Sequence, residues 1–115
     1  MRTLNEYFLT GGAMSAIQTA DNKSANAVVP DGGVVRSCII NVHTVIDADT
    51  TFDVLVNGTD STIDCTLPDE TVDETGYEMV LPTALAVAIG DSLILQSNGE
   101  QEGACLADIT WVIRR

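Results

Sequence analysis

The side chains here that could do chemistry are one histidine, His43, three cysteines, Cys38, Cys65 and Cys105, and an unusually dense set of carboxylates. Nucleophilic catalysis needs a base beside a nucleophile. His43 falls within an apolar alternating run with Asn41 and Val45 on its own face, and no flanking motif pairs it with a cysteine. The cysteines are odd in number, far apart and embedded in apolar runs. That spacing suits neither a disulfide framework nor a zinc site, so buried free thiols are expected. Paired carboxylates for glycoside cleavage are always available in so acidic a chain, and their presence alone says little. Asp47-Ala48-Asp49 with Asp53, and Asp69-Glu70 with Asp73-Glu74, put hard oxygen ligands in loops, the ligand type that calcium takes. Neither set has the spacing of a known calcium loop, and solvated acidic turns are the expectation. Gly11-Gly12 and Gly32-Gly33 precede no phosphate-cradling arrangement. The sequence therefore assigns no catalytic residue, no cofactor and no metal ligand, and it reads as a protein that is not an enzyme.

Charge narrows the partners further. Between Ser37 and Ile113 there is no lysine or arginine, while Asp47, Asp49, Asp53, Asp60, Asp64, Asp69, Glu70, Asp73, Glu74, Glu78, Asp91, Glu100, Glu102 and Asp108 all lie there. The net charge of the 115 residues is -12. Nucleic acid and anionic membranes need clustered cations, so neither is an expected partner. The cations stand outside the anionic block, at Arg2, Lys23, Arg36, Arg114 and Arg115. Favourable charge contacts should concentrate there.

The elements that must position these residues read as strands. Hydrophobic residues make up 45% of the chain and are mostly Val, Ile, Leu and Ala, with abundant Thr, which favours an all-β fold. The length fits one domain. No run of roughly 18 apolar residues suggests a membrane span, and the N-terminal residues lack the pattern of a secretory signal, so synthesis in the cytoplasm is expected. Thr3-Leu4-Asn5-Glu6 fits a capping box, and Leu4, Tyr7 and Phe8 share a helical face before Gly11-Gly12. Residues 1–12 are accordingly read as an N-terminal arm with a short amphipathic turn, and residues 13–115 as one β-sandwich domain.

Within that domain the hydrophobic period is two, which predicts strands over residues 13–20, 27–29, 34–46, 51–57, 61–67, 77–81, 86–89, 92–97 and 104–114. Phe52, Val54 and Val56 are assigned to the core, as are Leu93 and Leu95 and the run Cys105, Ala107, Ile109, Trp111 and Ile113. The other face of the last strand, Leu106, Asp108, Thr110, Val112 and Arg114, is mixed and fits either a solvent face or a subunit contact, with self-association the expectation. Asn57-Gly58 should close a hairpin between 51–57 and 61–67, and Asn98-Gly99 one between 92–97 and 104–114. Residues 69–76 read as an exposed acidic loop.

The run Val54-Leu55-Val56-Asn57-Gly58-Thr59, then Val87-Ala88-Ile89-Gly90-Asp91-Ser92-Leu93-Ile94-Leu95 with Ser97-Asn98-Gly99, and the closing Ile109-Thr110-Trp111-Val112-Ile113-Arg114 resemble small jelly-roll proteins of tailed bacteriophages. These are capsid decoration, or cement, proteins and head-fibre modules. The resemblance covers roughly residues 33–114 and implies a jelly-roll-like antiparallel β-sandwich, a homotrimer, the major capsid protein as partner and a place on the exterior of the virion. Arg2, Leu4, Tyr7, Phe8, Arg36, Arg114 and Arg115 are then the candidates for contacts with capsid or neighbouring subunits. The alternative is a fibre-type receptor- or carbohydrate-binding module, which would use the acidic loops instead.

Overall fold

The computed structural model describes residues 5–115, and it is all-β, with no helix among them. Eight strands follow in order: β1 (Glu6–Met14), β2 (Ala27–Val28), β3 (Gly33–Val42), β4 (Thr50–Val56), β5 (Thr59–Leu67), β6 (Gly76–Val87), β7 (Ser92–Ser97) and β8 (Ala107–Arg114). They form two antiparallel four-stranded sheets, ordered β1-β8-β3-β6 and β2-β7-β4-β5. Apolar residues alternating along each strand meet between the sheets, which makes a β-sandwich.

The core falls where the alternation puts it. Phe52, Val54, Leu93, Leu95, Ala107, Ile109, Trp111 and Ile113 are fully or almost fully buried, and Val56 packs at the edge of the same cluster. The last strand is central, paired with β1 on one side and β3 on the other. Its Trp111 needs a neighbour without a side chain: a Cβ on Gly11 would sit 2.9 Å from the indole nitrogen and 2.9 Å from Ile109 Cγ2. Cys38, Cys65 and Cys105 are buried and free. Burial drives the Cys38 thiol well above its ordinary range and pushes Cys65 up to about 12. Such thiols are protonated and unreactive.

Three local expectations are corrected. The helical turn over the first residues is instead β1, in which Tyr7 and Leu9 face the core while Phe8 and Thr10 face out. Pairing with β8 from Glu6↔Arg114 to Met14↔Ala107 satisfies backbone groups that a lone turn would leave to water. Residues 6–12, assigned to an arm, thus open a strand of the sandwich, whereas Arg2 and Leu4 lie outside the described residues.

The hairpin across Asn98-Gly99 does not form, because β7 pairs with β2 and β4 and the chain crosses to the other sheet to make β8. Gly99 still turns, with φ 80° and no room for a Cβ, which would sit 2.5 Å from the Ala20 backbone nitrogen, but the connection beyond it is pinned from elsewhere. Asp47 accepts the N–H groups of Glu102 and Gly103 at 2.9 Å each, and buried Gln101 accepts that of Asp47 at 3.0 Å. Those backbone hydrogen bonds, Glu102 first, hold the Asp47 carboxyl below its ordinary value.

The segment 77–81 and the start of 86–89 merge into β6, which ends at Val87 and leaves Ala88 and Ile89 in the turn beyond it. β6 is an edge strand, so Pro82 removes no ladder donor that a neighbour requires. The register against β3 jumps from Val35↔Leu85 to Ser37↔Val80, which leaves Pro82 to Ala84 bulged outward. The hairpin over Asn57-Gly58, by contrast, is present, with positive φ at both turn residues (53° and 81°).

Candidate functional site

His43 sits just past the end of β3 rather than within it. Its Nε2 is 3.0 Å from Asp108 and its Nδ1 is 3.2 Å from Glu74. The Asp108 hydrogen bond, with help from Glu74, raises its pKa. Both ring nitrogens are therefore committed to carboxylates. The nearby Cys105 thiol is directed at the carbonyls of Thr44 and Leu106 and is raised by burial, the reverse of an activated nucleophile.

The acidic turns are largely occupied by backbone. Asp49 accepts the Asp69 N–H at 2.7 Å, and Asp91 accepts the Ala88 N–H at 2.8 Å and an Asn57 amide at 3.0 Å. Asp53 and Asp64 stand opposite each other across β4 and β5. Their shared hydrogen bond raises Asp64, followed by partial burial and charge repulsion. Among the described residues no group of three or more His, Cys, Asp or Glu side chains is arranged to hold a metal.

Arg36, Arg114 and Arg115 gather at one end of the β1-β8-β3 sheet, whereas Lys23 bridges to Gln96 on β7 of the other sheet and Arg2 lies outside the described residues. The Tyr7 hydroxyl donates to the Asp31 carbonyl, Arg115 pairs with the Asp31 carboxylate at 3.0 Å, and its guanidinium lies 5.1 Å from the Tyr7 ring centre. Arg36 reaches Glu6 at 3.8 Å. Phe8, with 67% of its surface exposed, and half-buried Arg114 contact no such partner among the described residues. Tyr7 and Arg115 thus spend their recognition chemistry on the protein itself.

A different aromatic is unspent. Tyr77 is the second residue of β6, where the edges of the two sheets face one another across β5 and β6, and its half-buried ring packs on the core margin. It lines two adjoining recesses. The first, about 320 Å³, lies under the 69–76 loop beside Asp69, Glu70, Thr71 and Val72. The second, about 370 Å³, runs along the strand edges past Asp64, Thr66 and Glu78. Together they make a groove with an aromatic at its middle, and both volumes fall at the small end of the range for ligand sites.

The loop that walls this groove is exposed, as its composition suggests, yet it is held in place. Glu70 N–H donates to Ile46 O at 2.8 Å, Ile46 N–H to Thr71 O at 3.1 Å, and Glu74 N–H to Val42 O at 2.8 Å. Positive φ at Glu70 and Glu74 completes its shape. Tyr77 was absent from the sequence candidates. Its available signal was position, as an aromatic placed directly after an acidic loop, but the closeness of β5 to β6 is not written in any local pattern.

No protein-family model matches this sequence, and no curated protein matches it. Solved structures do. The chain is similar to a region of a GH26-CBM35 β-(1,4)-mannanase from Podospora anserina, at 14% identity and TM-score 0.54, covering 97% of this chain and 28% of that one. It is similar to part of a Paenibacillus sp. cycloisomaltooligosaccharide glucanotransferase complexed with cycloisomaltoheptaose, at 12% identity and TM-score 0.56, covering 92% of this chain and 18% of that one. It also matches the CBM36-1 domain of a multidomain xylanase from the hindgut metagenome of Trinervitermes trinervoides, at 12% identity and TM-score 0.54, over 96% of this chain and 97% of that domain. The chain spans less than a third of the first two proteins but nearly all of the third. At these identities the likeness establishes a fold, the β-sandwich that carbohydrate-binding modules also use.

Proposed function

We propose that this protein is a non-catalytic binding module that takes a neutral oligosaccharide along the β5–β6 groove. The observation that carries the reading is Tyr77, a ring shared by two adjoining recesses whose remaining polar groups are carboxylates and threonine hydroxyls. A sugar presents an apolar C–H face and a rim of hydroxyls. The ring meets the first, and Asp69, Glu70, Asp64 and Thr66 accept from or donate to the second. With no cation in the groove lining, a uronate or sulfated glycan would meet only like charge, which favours uncharged chains. The fold is compatible, since the CBM36-1 domain of a multidomain xylanase shares it over nearly its whole length.

The test is calorimetric titration with neutral β-1,4-linked oligosaccharides and a matched uronate series. Binding of a neutral series that is lost in Tyr77→Leu is the expected result. Tight binding of the uronates, or indifference to Tyr77, would refute the assignment.

A second reading, capsid decoration through the major capsid protein with a homotrimer on the virion exterior, draws on Phe8 and Arg114, which remain unspent at the edge of the other sheet. It requires co-sedimentation with purified heads that Phe8→Ser abolishes. A glycan-binding module has no reason to show it.

A further inference from the structure

We infer that the open edge of β1 pairs with β1 of a second copy of this chain, so that two sandwiches share one continuous antiparallel sheet. β1 is an outer strand of its sheet and pairs only with β8. The Arg115 N–H donates to Asn5 O at 3.0 Å, which makes Asn5 and Arg115 a hydrogen-bonded pair and fixes the alternation that follows. Tyr7 and Leu9 therefore turn their backbone groups toward β8, whereas Glu6, Phe8 and Thr10 turn theirs toward the open edge. None of those three has a backbone hydrogen-bond partner on that side among the described residues. All three are exposed, Phe8 by 67%.

Sheet edges are normally guarded against pairing by charge, proline, bulges or shortness. The other three edges of this sandwich carry such guards. β2 has two residues, β5 is broken where Thr62 takes φ 66° between Asp60 and Asp64, and β6 bulges at Pro82 to Ala84. From Tyr7 to Thr10, β1 has no charge, no proline and no positive φ, and its register slips only beyond Thr10.

The same residues select the strand that completes the edge. A two-fold axis perpendicular to the sheet at Phe8 sets Phe8 opposite its own counterpart and each Glu6 opposite the other copy's Thr10. Outward-turned backbone groups then meet outward-turned groups, the parity that antiparallel hydrogen bonding requires, and the symmetry makes the two halves equivalent. No carboxylate meets another. Glu6, the one charge in the paired segment, faces a hydroxyl, while Phe8 and its buried neighbour Val112 continue one apolar row across the axis. For a chain of net charge -12, this approach avoids the like-charge contacts that its anionic strands would bring. β1 lies at the opposite edge of the sheet from β6 and Tyr77, so the inference does not rest on glycan binding.

Light scattering over rising concentration tests it. The expected molar mass climbs toward that of two chains, and added salt strengthens the association, because no ion pair crosses the axis and screening relieves the mutual repulsion. Phe8→Asp and Phe8→Lys each set like charges face to face and should weaken association by at least about tenfold. An equal mixture of those two variants should restore the dimer, since this position pairs with itself. Thr10→Pro removes an edge-directed N–H and no bond to β8, so it should abolish the dimer while circular dichroism still reports the folded sandwich. A monomer at every concentration, which would leave the edge to a strand of another protein, overturns the inference. So does a trimer, a dimer that salt weakens, or a mixture no better than its parents.

Discussion

Tyr7 and Tyr77 occupy opposite ends of this molecule's chemistry although both are half-buried ring residues on strands at the outer edges of one sheet. Tyr7 is closed off: its hydroxyl donates to Asp31, a guanidinium covers its ring, and the surroundings of that pair raise its pKa, burial first and then the Asp31 charge. The Tyr77 hydroxyl has no hydrogen-bond partner among the described residues, and two recesses lie against the residue. An aromatic near a surface becomes a binding element only when the protein has not already used its face and its hydroxyl. The contrast separates a residue that holds the fold together from one that the fold presents.

Both tyrosines rest on the same core, so the largest effect should fall on neither. Trp111→Ala removes a fully buried side chain under β1 and β3 and should cost about 4 kcal/mol in denaturant unfolding, with both sheets lost in one transition. Separate transitions for the two sheets would break the comparison at its base.

Next comes Tyr77→Leu, which keeps an apolar plug but removes the flat ring. It should weaken sugar binding by about 30-fold, the scale of a central aromatic contact, as read by calorimetry. Tyr7→Ala sharpens the contrast from the other side. It should lower stability by about 1.5 kcal/mol through lost packing and the lost Arg115 contact, while leaving sugar affinity unchanged. If Tyr7→Ala also lost the sugar, the two residues would not differ as described.

Asp64→Asn should stabilise the protein by about 0.5 kcal/mol, since it removes a like-charge pair facing Asp53 across the strands. The gain has a sign that depends on pH. A raised folded-state pKa means the native carboxyl is penalised once ionised, so the gain should appear above the ordinary value of 3.8 and vanish in more acidic solution.

The smallest effect belongs to His43. Its pKa is raised by Asp108 and Glu74, so its contribution to stability is complete below the ordinary value of 6.5 and is lost as pH rises through the folded value. His43→Ala should flatten that part of the pH profile of thermal unfolding and leave glycan affinity where it was.

How far the sequence could be read follows the same division between local and distant information. Strict alternation over Ala107 to Ile113 and over Phe52 to Val54 gave the core faces, and Asn57-Gly58 gave its hairpin, because period and turn chemistry are local. The first strand was hidden because Leu4, Tyr7 and Phe8 fit a helical face as well as Tyr7 and Leu9 fit a strand, and only pairing with β8 decides between them. Asn98-Gly99 looked like the other turn, yet Asp47, over fifty residues away, captures the following backbone and sends the chain to the opposite sheet. The groove was unreadable for a related reason: Tyr77 gains its meaning from β5 and from a loop tied to Ile46 and Val42. No local pattern shows that Arg115 is consumed by Asp31 and Tyr7 while Arg114 is left half-exposed.

The most direct test is an amide chemical-shift titration of the whole chain with a neutral β-1,4-linked oligosaccharide. Shifts confined to the neighbourhood of Asp64 to Thr66 and Asp69 to Glu78, with Tyr77 among the largest, are the predicted result. No shifts at millimolar sugar, or shifts gathered around Tyr7, Asp31 and Arg115 instead, would contradict it.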